Sequence, residues 1–471
     1  MILADTVSEA AERFGDQLVY DGWDGRLTYA ELAAAARTRA DELRAMDVQR
    51  HDVVAVALPS GIDYLVTYAA SARLGATTAG VNTKLAPGEQ DQLLRPVRHR
   101  VLVDASGTRR VGDHDPVDSD DDPLATVVFT SGTTGIPKGA MFGDEQLAAI
   151  MAIDLGVESV EDAPWGGGGP LLVSTGMSHI GFMTKLPTYL RTGATLVGLE
   201  RWRAEDVLRA VAHHRMTTIG GVAPQIALLL RSPLVDQLDL TCVTAFIVGG
   251  ALSSPALVRE VRERFGAAYS IRYSSTESGG VGLGTAFDAP DEEAFHTVGR
   301  PRPGVEVRID RPGDDGIGEL CIRSGAQMAG YLGDPDATAA AIDPVGWLHT
   351  GDLARLDDAG CYRLSGRIKE MYIRGGYNVF PAEVEAVLAD HPAIAEVAVA
   401  PMPDEVMGEL GVAVVTLRPG APTPTLGELR SFAAERLARW KLPEDLLVVA
   451  DIPRTAGDKI DRAAIRALVG G

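Results

Sequence analysis

A chain of 471 residues exceeds what one hydrophobic core holds, since cores stop growing near ~250–300 residues, so two or three domains are expected. Its 44 Lys+Arg against 65 Asp+Glu give a formal net charge of −21, a field that repels polyanions and excludes nucleic acid as a natural partner. No stretch of ~18 apolar residues occurs and the N-terminus lacks a basic segment followed by an apolar one, so no transmembrane segment and a cytoplasmic location are expected.

In chain order, Thr28 and Glu31 stand at capping-box spacing and open an alanine-rich helix predicted to reach about Met46. The apolar run VVAVAL from Val53 has the length of a buried strand. Val101–Val103, Ala125–Phe129, Ala194–Leu199 and Val243–Val248 also read as strands, separated by helical stretches such as Arg203–His214. This alternation predicts α/β layers with largely parallel sheets. Ser254 as N-cap, Pro255 in the first turn and Gly266 as stop punctuate a further helix. Trp165–Pro170 (WGGGGP) and Ala421–Thr425 (APTPT) read as loops.

From about Gly318 the pattern turns to hairpins, with Asp357–Gly360 as turn chemistry between two strands. Beyond Arg367 come a hairpin, a helix from Pro381, strands near Val397 and Val412, a helix from about Leu426 and a last helix after Asp461. The expected organisation is a large N-terminal α/β domain, residues 1–367, and a small α+β domain, residues 368–471. Cys242, Cys321 and Cys361 show neither CxxC spacing nor neighbouring histidine ligands, and read as ordinary thiols.

Phe129–Ala140 (FTSGTTGIPKGA) follows a strand and gathers glycines, hydroxyls and one lysine, a composition that lets backbone N–H groups converge on phosphate oxygens. It is not the G-x-x-x-x-G-K-[ST] loop, because Lys138 follows Pro137 and precedes Gly139. Alone, such a stretch serves equally as a surface loop.

TSGTTGIPKGA resembles the signature of the adenylate-forming superfamily: acyl-CoA synthetases, adenylation domains and luciferases. Similar motifs follow in that family's order: MSHIG (Met177–Gly181), VGGAL (Val248–Leu252), YSSTE (Tyr273–Glu277), GEL with GYL (Gly318–Leu332), GWLHTGDL (Gly346–Leu353), GRIKE (Gly366–Glu370), RGGYNVFPAEVE (Arg374–Glu385) and PRTAGDKIDR (Pro453–Arg462). The resemblance, strongest to acyl-CoA synthetases, implies a two-step ligase. A carboxylate attacks the α-phosphate of ATP to give acyl-adenylate and pyrophosphate, and the thiol of coenzyme A then takes the acyl group. Both steps need charge control more than acid–base chemistry.

By that resemblance, Thr130, Ser131, Gly132, Thr133, Thr134 and Lys138 steady the β- and γ-phosphates. Glu277 helps hold magnesium, a hard cation that takes oxygen ligands, while Thr276 meets the α-phosphate and Tyr273 lies against adenine. Asp352 and Arg367 match ribose contacts, and His179 lines the acyl and phosphate end of the cleft. Gly249, Gly250 and Ala251 let adenine and acyl group approach the backbone, or only make a tight strand-to-helix turn. Lys459 places its ammonium between the attacking carboxylate and the α-phosphate. Lys369 matches the hinge about which a mobile small domain exchanges one half-reaction for the other, and Gly375 and Gly376 line the pantetheine passage.

Two departures stand out: Ser274 where relatives have glycine, and Asp458 where glycine precedes the lysine. Asp458 either pairs with Lys459 in the open state or puts a second negative charge near the two reacting anions. Gly220, Gly221, Gly279, Gly280, Gly282 and Gly284 fall beside motifs bordering the acyl pocket and predict room for a bulky hydrophobic or cyclic acid, or serve backbone geometry alone. The alternatives are an adenylating enzyme loading a separate carrier protein, and a degenerate nucleotide-binding member performing one half-reaction. A homodimer is a family-level expectation.

Overall fold

The computed structural model describes residues 1–85, 87–112, 124–130, 138–250, 253–368, 370–374, 377–404, 406–455 and 459–470. Its largest sheet has seven strands, with Thr77–Gly80, Val53–Ala57 and Val101–Asp104 parallel in the middle. Val53–Val56 are all buried, as a strand covered on both faces requires. Leu124–Phe129 joins in parallel, but Gly139–Gly143, Gly330–Tyr331 and Gly107–Arg110 complete the edges in antiparallel. Against this sheet packs the helix Ile62–Leu74, apolar on every side and buried from Tyr64 through Ala72. Tyr68 anchors it by donating to the Met183 carbonyl over 2.7 Å.

A second sheet carries Thr218–Val222, Ala245–Gly249 and Ala268–Tyr273 in parallel, then Leu283–Gly284 and Arg300–Pro301 in antiparallel. A third joins Leu18–Gly22 and Gly25–Thr28 to Thr195–Gly198 and Pro170–Leu172. The fourth, Glu306–Asp310, Gly318–Arg323, Leu348–Leu356 and Tyr362–Arg367, is wholly antiparallel. The expectation of largely parallel sheets is therefore corrected: parallel pairs make the middle of the first sheet and one side of the second, whereas hairpins, and also the helix-containing connections from Gly284 to Arg300 and from Arg323 to Leu348, give antiparallel pairs.

Helix punctuation follows the sequence closely. Thr28 and Glu31 form the reciprocal capping box of helix Tyr29–Ala45. Ser254 caps Pro255–Phe265, which Gly266 ends at φ +60°.

After Tyr372 the chain builds separate cores around one more sheet. The hairpin Ile394–Asp404 and Gly408–Leu417 is extended by Tyr372–Arg374, Tyr377–Val379 and Asp445–Val448. Helices Pro381–Leu388 and Leu426–Ala434 cover one face with Val384, Leu388 and Leu429, while Ile465 of helix Arg462–Gly470 packs with Ala398, Ala400 and Val414 on the other. Alternate residues of the strands thus feed two small cores.

Candidate active site

The phosphate-loop motif starts at the end of strand Leu124–Phe129. Its base is closed by Thr130, whose N–H donates to the Lys138 carbonyl (2.9 Å) and whose Oγ1 accepts from the Lys138 N–H (3.2 Å). Ser131, Gly132, Thr133 and Thr134 lie outside the described residues. The Lys138 ammonium stands 5.0 Å over the Tyr331 ring and 3.7 Å from Asp334.

Tyr331 links this base to the next motif, since its hydroxyl donates to Glu277 Oε1 over 2.9 Å. Burial, then the Glu277 charge, hold the phenol protonated. Ser275 and Ser278 shape the turn around Thr276 and Glu277, each N–H donating to the other's hydroxyl at 2.9 and 3.1 Å. Ser274 is half-buried beside Tyr273.

Tyr273 leaves the end of its strand with the hydroxyl donating to Asp352 Oδ2 over 2.6 Å, while Arg367 Nε donates to Oδ1 over 2.6 Å. Asp352 and Arg367 are opposed in antiparallel register, so the pairing is set by the hairpin itself. Thr350 Oγ1 accepts from the Asp352 N–H (3.1 Å) and donates to the Leu320 carbonyl (2.6 Å).

His179 caps the short helix Ile180–Met183, with Nδ1 accepting from the Gly181 N–H at 3.3 Å. That assignment leaves the ring proton on Nε2. Surrounding protein, then Lys459, push the imidazole down to about 4, so it is neutral at physiological pH although its edge is exposed on the cleft.

Lys459 lies in the turn ahead of the last helix rather than within it. The turn is closed by Thr455 N–H donating to the Lys459 carbonyl over 2.8 Å and by the bridge between Arg454 and Ile460. The ammonium is exposed to water yet hemmed by protein. That crowding and the Arg367 charge lower its pKa, while Glu277 and Asp352 pull the other way. The Lys459 ammonium is thus within electrostatic reach of His179, Glu277, Asp352 and Arg367. Arg462 fixes the helix behind it through Glu385 Oε2 at 2.9 Å and Glu370 at 3.4 Å.

Lys369, Gly375, Gly376, Ala251 and Asp458 lie outside the described residues. Gly250 adopts φ +75°, with room for a Cβ only 3.3 Å from Val222 Cγ1. The acyl-pocket glycines divide. Gly279 and Gly282 are dictated by backbone, because a Cβ would sit 2.1 Å from the Ala326 carbonyl oxygen or 2.4 Å from that of Tyr273. A Cβ on Gly284 would meet Arg272, and one on Gly221 would meet Gln225. Gly220 borders space, its nearest atom lying at 4.0 Å, whereas a Cβ on Gly280, at φ +71°, would press on Ile180 Cγ1 at 3.3 Å.

Tyr331 and Thr350 were not singled out from sequence, although both fall inside quoted motifs. The reading of Cys321 is corrected: its Sγ lies 3.5 Å from His349 Nδ1, a neighbour 28 residues away in sequence. Among the described residues no helix is long and apolar enough to cross a membrane.

Comparison with known proteins matches the AMP-binding enzyme model over residues 7–332 and the AMP-binding enzyme C-terminal domain over residues 383–459. A 3-[(3aS,4S,7aS)-7a-methyl-1,5-dioxo-octahydro-1H-inden-4-yl]propanoyl:CoA ligase of Rhodococcus jostii is 31% identical, over 98% of this chain and 97% of its own. A long-chain-fatty-acid–CoA ligase of Mycobacterium tuberculosis is 30% identical, over 94% and 93%. Among solved structures, the o-succinylbenzoate CoA synthetase of Bacillus subtilis, in complex with its acyl-adenylate intermediate, superposes with a TM-score of 0.82 at 27% identity, covering 98% and 97%.

Proposed function

The chain belongs to the AMP-binding enzyme family, and from that premise we propose that it ligates a carboxylic acid to coenzyme A through an acyl-adenylate. The observation that carries this reading is the convergence of Lys459 on the cleft formed by His179, Glu277, Asp352 and Arg367.

In the first step a carboxylate oxygen attacks the α-phosphorus of ATP and pyrophosphate leaves. Two anions must meet, and Lys459 offsets their repulsion and the charge that spreads in the transition state. Thr276 contacts the α-phosphate, and neutral His179 presents Nε2–H to the reacting end without adding charge. Asp352, held by Tyr273 and Arg367, accepts from the ribose hydroxyls while the Tyr273 ring lies against adenine. Thr130, Ser131, Gly132, Thr133, Thr134 and Lys138 hold the departing phosphates.

Glu277 suits magnesium: Tyr331 occupies Oε1, Oε2 is uncommitted among the described residues, and this cation typically takes one or two carboxylates plus phosphates. When bound, the ion neutralises charge on the leaving pyrophosphate.

In the second step the coenzyme A thiol attacks the acyl carbonyl, forming the thioester and releasing AMP. Rotation about Lys369 withdraws Lys459 and brings Gly375 and Gly376 to the pantetheine arm, the domain boundary falling between residues 367 and 368.

For the acyl group we favour a bulky or cyclic hydrophobic acid. The support is the space beside Gly220 and the ring-bearing acid in the name of the Rhodococcus relative. The test is a panel of cyclic, long-chain and short carboxylic acids with ATP and magnesium, pyrophosphate and free thiol being followed separately. Cyclic acids should give the highest kcat/KM, with thiol consumed in step with pyrophosphate. Acetate as best substrate overturns the acyl assignment, and pyrophosphate without thiol consumption overturns coenzyme A as acceptor.

A further inference from the structure

Cys321 is fully buried and stands opposite His349 in the antiparallel pair of strands Gly318–Arg323 and Leu348–Leu356. Glu319 lies two residues earlier, and alternation puts it on the same strand face as Cys321. A register irregularity between these two positions brings His349 onto both: Nδ1 lies 2.7 Å from Glu319 Oε2 and 3.5 Å from Cys321 Sγ. The three potential ligand atoms all lie within 4.8 Å of one another.

The other ring nitrogen, Nε2, is 3.8 Å from Asp343 Oδ2. Asp343 is fixed by Arg308 at 3.1 Å and by the N–H groups of Val345 and Trp347. With Nδ1 turned to Glu319 and Cys321, Nε2 faces Asp343, the carboxylate-backed orientation that metal-bound histidines commonly have.

The donor set selects the cation. Sulfur with imidazole and one carboxylate suits zinc and its borderline-soft neighbours, whereas magnesium and calcium take oxygen ligands. Around the cluster, Arg308 pairs with both Asp343 and Asp310, and Arg311 also pairs with Asp310, which leaves Glu319 facing His349 and Cys321. We propose that Glu319, Cys321 and His349 form a binding site for a thiophilic divalent cation of the zinc class, separate from the magnesium position at Glu277. On binding, the Cys321 thiol proton passes to solvent, the thiolate and Nδ1 coordinate the ion, and water fills the fourth position.

The test is titration of the reduced, chelator-treated full-length protein with Co2+. One equivalent should produce a near-ultraviolet thiolate-to-cobalt charge-transfer band with visible bands of tetrahedral intensity, and Zn2+ should displace both. Cys321→Ala should abolish the charge-transfer band, and Cys361→Ala, which removes the other buried thiol, should keep it. Because Cys321→Ala alters a buried position, Glu319→Gln provides a second reading and should weaken Co2+ binding about tenfold or more. No charge-transfer band at stoichiometric Co2+, its persistence in Cys321→Ala, or unchanged affinity in Glu319→Gln overturns the assignment.

Discussion

Tyr273 donates its phenolic proton to Asp352 across 2.6 Å, joining the end of a parallel strand to an antiparallel hairpin 79 residues further on. The same carboxylate accepts from Arg367, so both its oxygens are oriented before a nucleotide arrives. Such prior orientation lowers the entropy lost on binding.

Asp352→Ala removes the proposed ribose acceptor and deletes the carboxylate that Arg367 contacts. Hydrogen bonds to a charged group contribute about 1.5–3 kcal/mol, so KM for ATP should rise roughly tenfold to a hundredfold. Tyr273→Phe, which deletes one donor and keeps the ring, should raise it by less than tenfold. Steady-state kinetics at saturating acid measure both. Equal effects from the two variants would remove the reason for placing Asp352 on the ribose.

The working form of Lys459 is the ammonium, and crowding together with Arg367 lowers its pKa from 10.5. The cation is therefore lost as pH rises through a value below that of a free lysine, and adenylation falls from there. Arg367→Gln removes a lowering charge and should move this alkaline limb upward. Glu277→Gln removes a raising one and should move it downward. Pyrophosphate exchange at saturating ATP across pH reads the limb independently of the maximal rate.

His179, pushed down to about 4, is neutral across physiological pH. Its protonation is disfavoured in the folded chain relative to the unfolded one, so the group lowers stability as pH falls from its ordinary 6.5 toward that value. His179→Gln should leave the exchange profile flat on the acid side and lessen the loss of Tm between those limits. An acid limb near 6.5 that vanishes in His179→Gln would show a charged histidine instead.

Asp154 lies 2.7 Å from buried Lys185 and 2.8 Å from Arg302. Asp154→Ala leaves two enclosed cations uncompensated and should destabilise by about 3–5 kcal/mol. Lys185→Met keeps the Arg302 pair and should be much milder. Thermal and denaturant unfolding compare them, and the reverse order would contradict this account of the triad.

Much of the candidate site could be nominated from sequence because its residues stand in contiguous motifs. Lys138, Tyr273, Glu277, Asp352 and Arg367 could each be placed from neighbours in sequence, and caps at Thr28 and Ser254 are local chemistry. Long-range pairing was not legible. Nothing near Cys321 announces His349, because a hairpin register brings them together. Tyr331 acts on Glu277 from 54 residues away, across an edge strand of two residues. The glycines left two readings open for a related reason: sequence reports a missing Cβ but not whether ligand or backbone fills its place, and at Gly279 the Ala326 carbonyl does.

Asp458 precedes the proposed adenylation lysine in sequence, where relatives of the resembled family have glycine. Asp458→Gly removes an anion from beside Lys459 and should raise the pyrophosphate-exchange rate. An unchanged or lower rate would show that the aspartate does not oppose the reacting anions.

The most direct measurement separates the two half-reactions in Lys459→Ala. Pyrophosphate exchange should fall about 10²–10³-fold, the loss expected when one preorganised charge contact to the transition state is removed. Thioester formation from a supplied acyl-adenylate should proceed at the rate of the unaltered protein. Undiminished exchange, or equal loss of both halves in a folded variant, would contradict the placement of this ammonium at the adenylation step.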